Sequence, residues 1–413
     1  MSRSDTKEPN RNLTILHTRF WPDRHGGVEE HMWRIASEAS HTYKVEVLTE
    51  NRLKLEPTEQ PMPNVTIYRG ECMNPGRFWR WPYLPRVRWW MSMLRKHKPK
   101  GWIWSVDPPG ALAAILCGYG KRLIFNPPSC WAAMNRVYEA RPHVTTMQIA
   151  RGFRMMEGYV YRRAAKIICA SKSLGQQYVS FYGTRPNVHV VPRGAGEELI
   201  RDLPNTNVAR QVFGISPTAF VVGFVGRLDP CKDIPHLIKA CATPGVFEES
   251  DRLMIVGEGP DRARVENCIA AHKLQSRTIM TGALDGSELL TAYACMSSFV
   301  LPSVYEGYGM VILEAMAAGI PVIGRYGDGS TSFTSMPEMI DEGKTGLLMS
   351  SRDDDDLAEK LRWFRYHVDI ARDMGRRGRE RLAQRPWSKV VGCYLDLLEG
   401  RTPEDIESVR SAA

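Results

Sequence analysis

Two glutamates eight positions apart, Glu306 and Glu314, flank a Gly307-Tyr308-Gly309 turn and sit before and inside a helical pattern over about residues 310–318. An apolar strand pattern ends at Pro302, and Gly319-Ile320-Pro321 closes the helix. The glycines let a ligand approach the backbone, and free amides at a helix start favour anionic or hydroxyl oxygens. One carboxylate can then face a sugar while the other reaches a ribose. An ordinary strand-turn-helix with two solvated glutamates fits the same turn taken alone. A second pair, Arg227 and Lys232, follows a strand pattern ending at Gly226. Two cations in one loop can converge on a diphosphate and stabilise the charge that develops as it departs. A solvated basic loop is the plain alternative.

Three other stretches carry weaker signals. His25-Gly26-Gly27 precedes a helical pattern at 28–39, where backbone amides can approach phosphate oxygens or acceptor hydroxyls. Asp353 to Asp356 contains Asp-x-Asp, but it directly precedes a helical pattern at 357–364, where acidic residues complement a helix start, and no metal site is expected. Residues 77–98 interleave Trp79, Trp81, Trp89 and Trp90 with Arg80, Arg86, Arg88 and Arg95. They suit either an acidic membrane surface or a core-facing helix with a basic outer face. No nucleic-acid partner is expected from them, since no RNA-binding motif accompanies the aromatics.

The elements that must position these residues follow an α/β alternation. Strand patterns fall at 13–18, 45–49, 65–69, 102–106, 123–126, 166–171 and 188–192, then, after a polar stretch at 194–207, at 220–226, 253–257, 278–282, 299–302, 321–324 and 346–349. A chain of 413 residues exceeds one core. The expected division is 1–196, 197–385, and a C-terminal helix and tail at 386–413 packing back on the first lobe. Two doubly wound domains would then face each other across a cleft, with ligands beyond the carboxyl ends of the strands. With 43% hydrophobic and 24% charged residues, no membrane-spanning apolar run, and a polar opening stretch unlike a secretory signal, the expectation is a cytoplasmic protein. Nine scattered cysteines without a C-x-x-C pair read as reduced thiols. A net charge of +9 suits an anionic partner.

The string from Leu301 to Val322 resembles the signature of the retaining glycosyltransferases of GT-B fold, the glycosyl transferases group 1, whose two glutamates are separated by seven residues. The Gly226-Arg227-Leu228 segment with Lys232 is similar to that family's diphosphate loop, and Gly26-Gly27 to its amino-terminal glycine loop. The resemblance covers about residues 12–400, and its specific motifs concentrate in 220–350. Three positions and one loop depart from it. Asp233 stands where Gly usually follows the Lys, Asn126 aligns with a His that contacts the donor sugar, Arg193 replaces a common Asn, and the loop 324–338 is long and Ser/Thr-rich.

The resemblance implies a hexosyltransferase-type enzyme moving a sugar, with retention, from a nucleotide-diphosphate sugar to a hydroxyl acceptor, in glycan, glycolipid or glycoside biosynthesis. The acceptor is lipid-linked if residues 77–98 attach to the inner face of a membrane. It implies catalytic roles for Glu306, Arg227 and Lys232, and donor contacts by Gly26, Gly27, Gly307, Tyr308, Gly309, Glu314 and Asn126, with no metal or other cofactor. Two rivals remain. A sugar-nucleotide epimerase of the same fold would turn over donor without acceptor, and a catalytically silent relative would only bind carbohydrate or membrane.

Overall fold

The computed structural model describes residues 11–22, 26–71, 83–140, 151–194, 201–350, 353, 355–401 and 407–408. The chain divides into two compact units: Met1–Ala132, Ile149–Arg193 and Trp387–Ala413 form one, Ala133–Gln148 and Gly194–Pro386 the other. Relative to a cut at residue 196, this gives residues 133–148 to the second unit and the last helix to the first.

The first unit is built on a nine-stranded sheet. Its strands are β1 (Asn12–Leu16), β2 (Lys44–Asn51), β3 (Thr58–Met62), β4 (Val65–Glu71), β5 (Trp102–Ser105), β6 (Leu123–Phe125), β7 (Lys166–Cys169), β8 (Val188–Val190) and β17 (Glu407–Ser408), and its order is β17-β8-β7-β6-β5-β1-β2-β4-β3. All neighbours are parallel except β3 against β4 and β17 against β8. Strands such as β1 and β6 are buried almost throughout, as continuous apolar runs are when helices cover both faces. The order reverses between β1 and β5, and the helix Gly27–Ala39 follows β1 there.

The helix Trp387–Leu398 packs on Gly27–Ala39, with Trp387 and Tyr394 placed 5.5 and 5.6 Å from the ring of His31. The helix Tyr83–His97 buries Val87, Trp90, Met93 and Leu94, a single stripe, and exposes Arg88, Arg95 and Lys96. Trp90 therefore belongs to the core, Trp89 is half-buried, and Trp79, Arg80 and Trp81 lie outside the described residues. Among the described residues no helix is long and apolar enough to cross a membrane.

The second unit holds a six-stranded parallel sheet of β9 (Val221–Val225), β10 (Arg252–Val256), β11 (Thr278–Gly282), β12 (Ser298–Leu301), β14 (Val322–Arg325) and β16 (Gly346–Met349), ordered β11-β10-β9-β12-β14-β16. That is the doubly wound order of a dinucleotide-binding sheet, and its switch point lies between β9 and β12. A two-stranded parallel pair, β13 (Tyr305–Glu306) and β15 (Phe333–Thr334), stands apart from it.

Every strand expected from the sequence is present. β3, β13, β15 and β17 were not expected. Asp355 and Asp356 open the helix Asp356–Tyr366, where Asp356 accepts the Ser350 amide at 2.6 Å and pairs with Lys360 at 3.0 Å. Asp354, and residues 195–200 of the expected polar connection, lie outside the described residues.

Candidate active site

The loop leaving β9 is fixed through its backbone. A side chain at Gly257 would lie 2.0 Å from the Gly226 carbonyl oxygen, and one at Gly259 2.2 Å from that of Leu228. The Leu228 amide donates to Glu258 O at 3.0 Å, so the loops after β9 and β10 lie directly on each other. Asp229 then caps a one-turn helix, Pro230–Lys232, accepting from the Cys231 amide at 3.2 Å and from the Tyr138 hydroxyl at 3.1 Å. That turn delivers Lys232, whose Nζ donates to Glu306 Oε2 at 2.5 Å. Arg227 instead projects outward, 67% exposed, with Nε 3.8 Å from Asp229 Oδ2.

Glu306 arrives from β12 on the other side of the switch point. The Val304 amide donates to Cys231 O at 2.8 Å and the Phe333 amide to Val304 O at 2.9 Å, which joins the β9 loop, the β12 loop and β15. Gly309 caps the helix Met310–Ala317 at φ 86°, a left-handed conformation that glycine adopts without a steric penalty. Gly307 and Tyr308 are buried, and the Tyr308 carbonyl accepts from Ser335 Oγ at 2.8 Å. Glu314, one turn into the helix, accepts from the Tyr293 hydroxyl at 2.7 Å. Burial, reinforced by the charge of Glu314, holds the Tyr293 pKa well above its usual value, so Tyr293 stays a donor and fixes that carboxylate.

Burial also works against the charge on Lys232, but the carboxylate and hydrogen bond of Glu306 outweigh it, and the pKa of Lys232 is raised. The Cys231 thiol beside it is pushed up to about 12 by burial and stays neutral. The centre is thus an ammonium, its pKa raised by the carboxylate it meets, at a sheet's switch point next to a glycine turn opening a helix. Such an arrangement suits an anionic, hydroxyl-bearing ligand.

Of the residues expected from the sequence, Lys232, Glu306, Gly307, Tyr308 and Gly309 come together here, Arg227 lies at the edge of the loop, and Glu314 lies farther along the helix. Gly26, Gly27 and Asn126 belong to the first unit. Gly26 is exposed before the helix Gly27–Ala39, and His25 lies outside the described residues. Asn126 is fully buried, with Nδ2 donating to Ile168 O at 2.6 Å and Oδ1 3.3 Å from His31 Nε2, so in this structure its amide serves the core of its own unit. Sequence reasoning gave no role to Asp229, Tyr138 or Tyr293. The Asp-Pro pair at 229–230 is a helix-start signal that points to Asp229. The tyrosines carry no local signal.

Comparisons with known proteins bear on the family and the fold. The family model described as glycosyl transferases group 1 matches residues 205–381, and the one described as glycosyltransferase family 4 matches residues 25–198. The chain is 33% identical over 308 residues to sulfoquinovosyl transferase SQD2 of Arabidopsis thaliana, covering 73% of this chain and 56% of that protein. It is 35% identical over 165 residues to a GDP-mannose-dependent alpha-mannosyltransferase of Mycobacterium tuberculosis, covering 40% of this chain and 39% of that one. The matches thus span little more than half of these relatives at most. Among solved structures, a sucrose-phosphate synthase from Thermosynechococcus elongatus superposes with a TM-score of 0.80 at 19% identity, covering 95% of this chain and 99% of that one. HepE of Anabaena, in complex with UDP and glucose, superposes with a TM-score of 0.74 at 18% identity, covering 95% and 100%. At such identities the likeness speaks for the fold, which is GT-B.

Proposed function

Because the chain belongs to the glycosyl transferases group 1 family, we propose that it moves a sugar, with retention, from a nucleotide-diphosphate sugar to a hydroxyl acceptor, without a metal. The observation that carries this reading is the Lys232–Glu306 pair, 2.5 Å apart, between the loops that flank the switch point of the second sheet. Lys232 and Arg227 would meet the diphosphate, the Gly307–Gly309 amides and Glu306 the sugar, and Glu314 the ribose. In the step proposed, the bond from the sugar's anomeric carbon to the diphosphate breaks with both electrons leaving on the phosphate. The acceptor oxygen bonds the same carbon on the same face, and its proton passes to a departing phosphate oxygen. The salt bridge from Lys232 supports Glu306 as an electrostatic partner rather than a nucleophile, since an ion-paired carboxylate attacks poorly. HepE was solved with UDP and the mycobacterial relative is named for GDP-mannose, so UDP and GDP donors are the first to try.

The test is acceptor-dependent release of nucleotide from UDP-glucose, GDP-mannose and related donors across a panel of acceptors, with the anomeric configuration of the product read by NMR. An inverted product would overturn retention, and conversion of donor to its epimer without acceptor would favour the epimerase. Within this reading, Glu314→Gln is expected to raise the donor KM on the order of tenfold with little change in kcat, because a charged hydrogen bond to ribose is present in ground and transition states alike. Steady-state kinetics against donor concentration checks it.

A membrane-borne acceptor draws support from the first unit. The helix Pro108–Leu116 packs against both Tyr83–His97 and Arg151–Arg163. This group exposes Arg88, Arg95, Lys96, Arg162 and Arg163, and also the apolar side chains of Leu84, Leu116 and Met155. Each cation near an acidic surface contributes about 1 kcal/mol. The protein is expected to sediment with anionic vesicles at low salt, and the triple variant Arg88→Gln, Arg95→Gln, Lys96→Gln to remain in solution. No sedimentation of the wild type would point to a soluble acceptor.

A further inference from the structure

The residue after Lys232, Asp233, adopts φ 50° and ψ 40° at the start of the helix Ile234–Ala242, a left-handed conformation that Asp tolerates better than most side chains but that still strains it. Its carboxylate accepts from Arg325 Nη2 at 2.8 Å. Arg325, the last residue of β14, is 2% exposed, and the same nitrogen reaches His236 Nδ1 at 2.6 Å while Nε donates to Pro302 O at 2.9 Å. One buried guanidinium therefore ties the residue beside Lys232 to Pro302, the residue after β12 and four residues before Glu306. Burying an arginine is costly, and an apolar side chain of like volume would pack as well, so stability alone is a weak reason for its presence. Its effect on charge is more specific, because a carboxylate next to Lys232 would repel any phosphate drawn to that ammonium.

We propose that Arg325 is a positioning residue for nucleotide binding: it holds Asp233 in the left-handed conformation and cancels its charge, so that the loop offers a diphosphate a net positive face. This deepens the donor reading above and rests on it. The two fail separately when binding is measured by calorimetry with UDP and GDP as probes at low and moderate salt. Wild-type protein that binds neither overturns the donor reading itself.

Where the wild type binds, Arg325→Met is expected to weaken binding on the order of tenfold, most at low salt, where a neighbouring negative charge is least screened. Adding Asp233→Gly to that variant removes the carboxylate and supplies a residue at ease with φ 50°, and is expected to restore affinity to within about threefold of wild type. A purely structural role for Arg325 predicts no such rescue, because the double variant lacks the ion pair too. Asp233→Asn, which keeps tolerance of the left-handed conformation and removes the charge, is expected to bind at least as tightly as wild type, and it remains informative if Arg325→Met does not fold. Wild-type affinity in folded Arg325→Met, failure of the double variant to recover, or a tenfold loss in Asp233→Asn would each overturn the proposal.

Discussion

Lys232→Ala is expected to lower turnover on the order of a hundredfold, mostly in kcat, measured as nucleotide release at saturating donor and acceptor. Its side chain is only 18% exposed and is aimed by a capped turn, so the charge it would place on a departing diphosphate acts where water screens it least. Because the folded-state pKa of Lys232 is raised above 10.5, its charge and the stability that charge contributes are fully present below that value and are lost only as pH rises through the folded pKa. A pH-rate profile between about 6 and 9 therefore takes no limb from Lys232. Arg227 differs in kind. At 67% exposure it must give up rotamer freedom to reach a ligand, and Arg227→Ala is expected to cost less, on the order of tenfold. Wild-type turnover in a folded Lys232→Ala protein would remove the lysine from the diphosphate site.

What could be read from the sequence was whatever is written locally. Strands such as Val221–Val225 are unbroken apolar runs between turn residues, and a parallel sheet covered on both faces produces just that pattern. The glycine turn at 307–309 and the cation loop at 227–232 are equally local, since conformation and charge both sit within a few residues. β3 escaped because Thr58–Met62 is a half-exposed edge strand with a proline and no apolar alternation, and its order comes from antiparallel pairing with β4. The pair β13–β15 escaped for a related reason: two residues are too few to show a period, and the partner lies in the long Ser/Thr-rich loop. Side-chain partnerships were the least legible. Lys232 meets Glu306 across 74 positions, and Asp233 meets Arg325 across 92, distances over which neither spacing nor periodicity carries information. The sequence could name both members of the first pair as site residues without revealing that they bond each other. For the second it offered only an aspartate in an unexpected place, and the left-handed φ of Asp233 gives that place its physical meaning.

The bond between Lys232 and Glu306 shapes what the second large effect should look like. Glu306→Gln keeps the volume of the side chain and a hydrogen-bonding oxygen but removes the negative charge that now occupies Lys232. An ammonium relieved of that carboxylate is freer to hold the ground-state diphosphate, so donor affinity is expected to stay level or rise. The rate of transfer should fall on the order of a hundredfold or more, because positive charge gathering on the sugar ring in the transition state would lose the carboxylate that meets it. A level KM with a much lower kcat is the pattern of an interaction made mainly in the transition state, and a lower KM beside it reports the ground-state change at the freed ammonium. The two substitutions also share one bond, so their costs should not multiply. Lys232→Ala combined with Glu306→Gln is expected to lose clearly less than the product of the single losses, as coupled neighbours do. Direct nucleotide binding beside steady-state kinetics on the four proteins resolves the cycle. A Glu306→Gln enzyme with wild-type kcat would take Glu306 out of the chemistry, and strictly multiplicative losses would mean that the 2.5 Å contact does not persist once donor is bound.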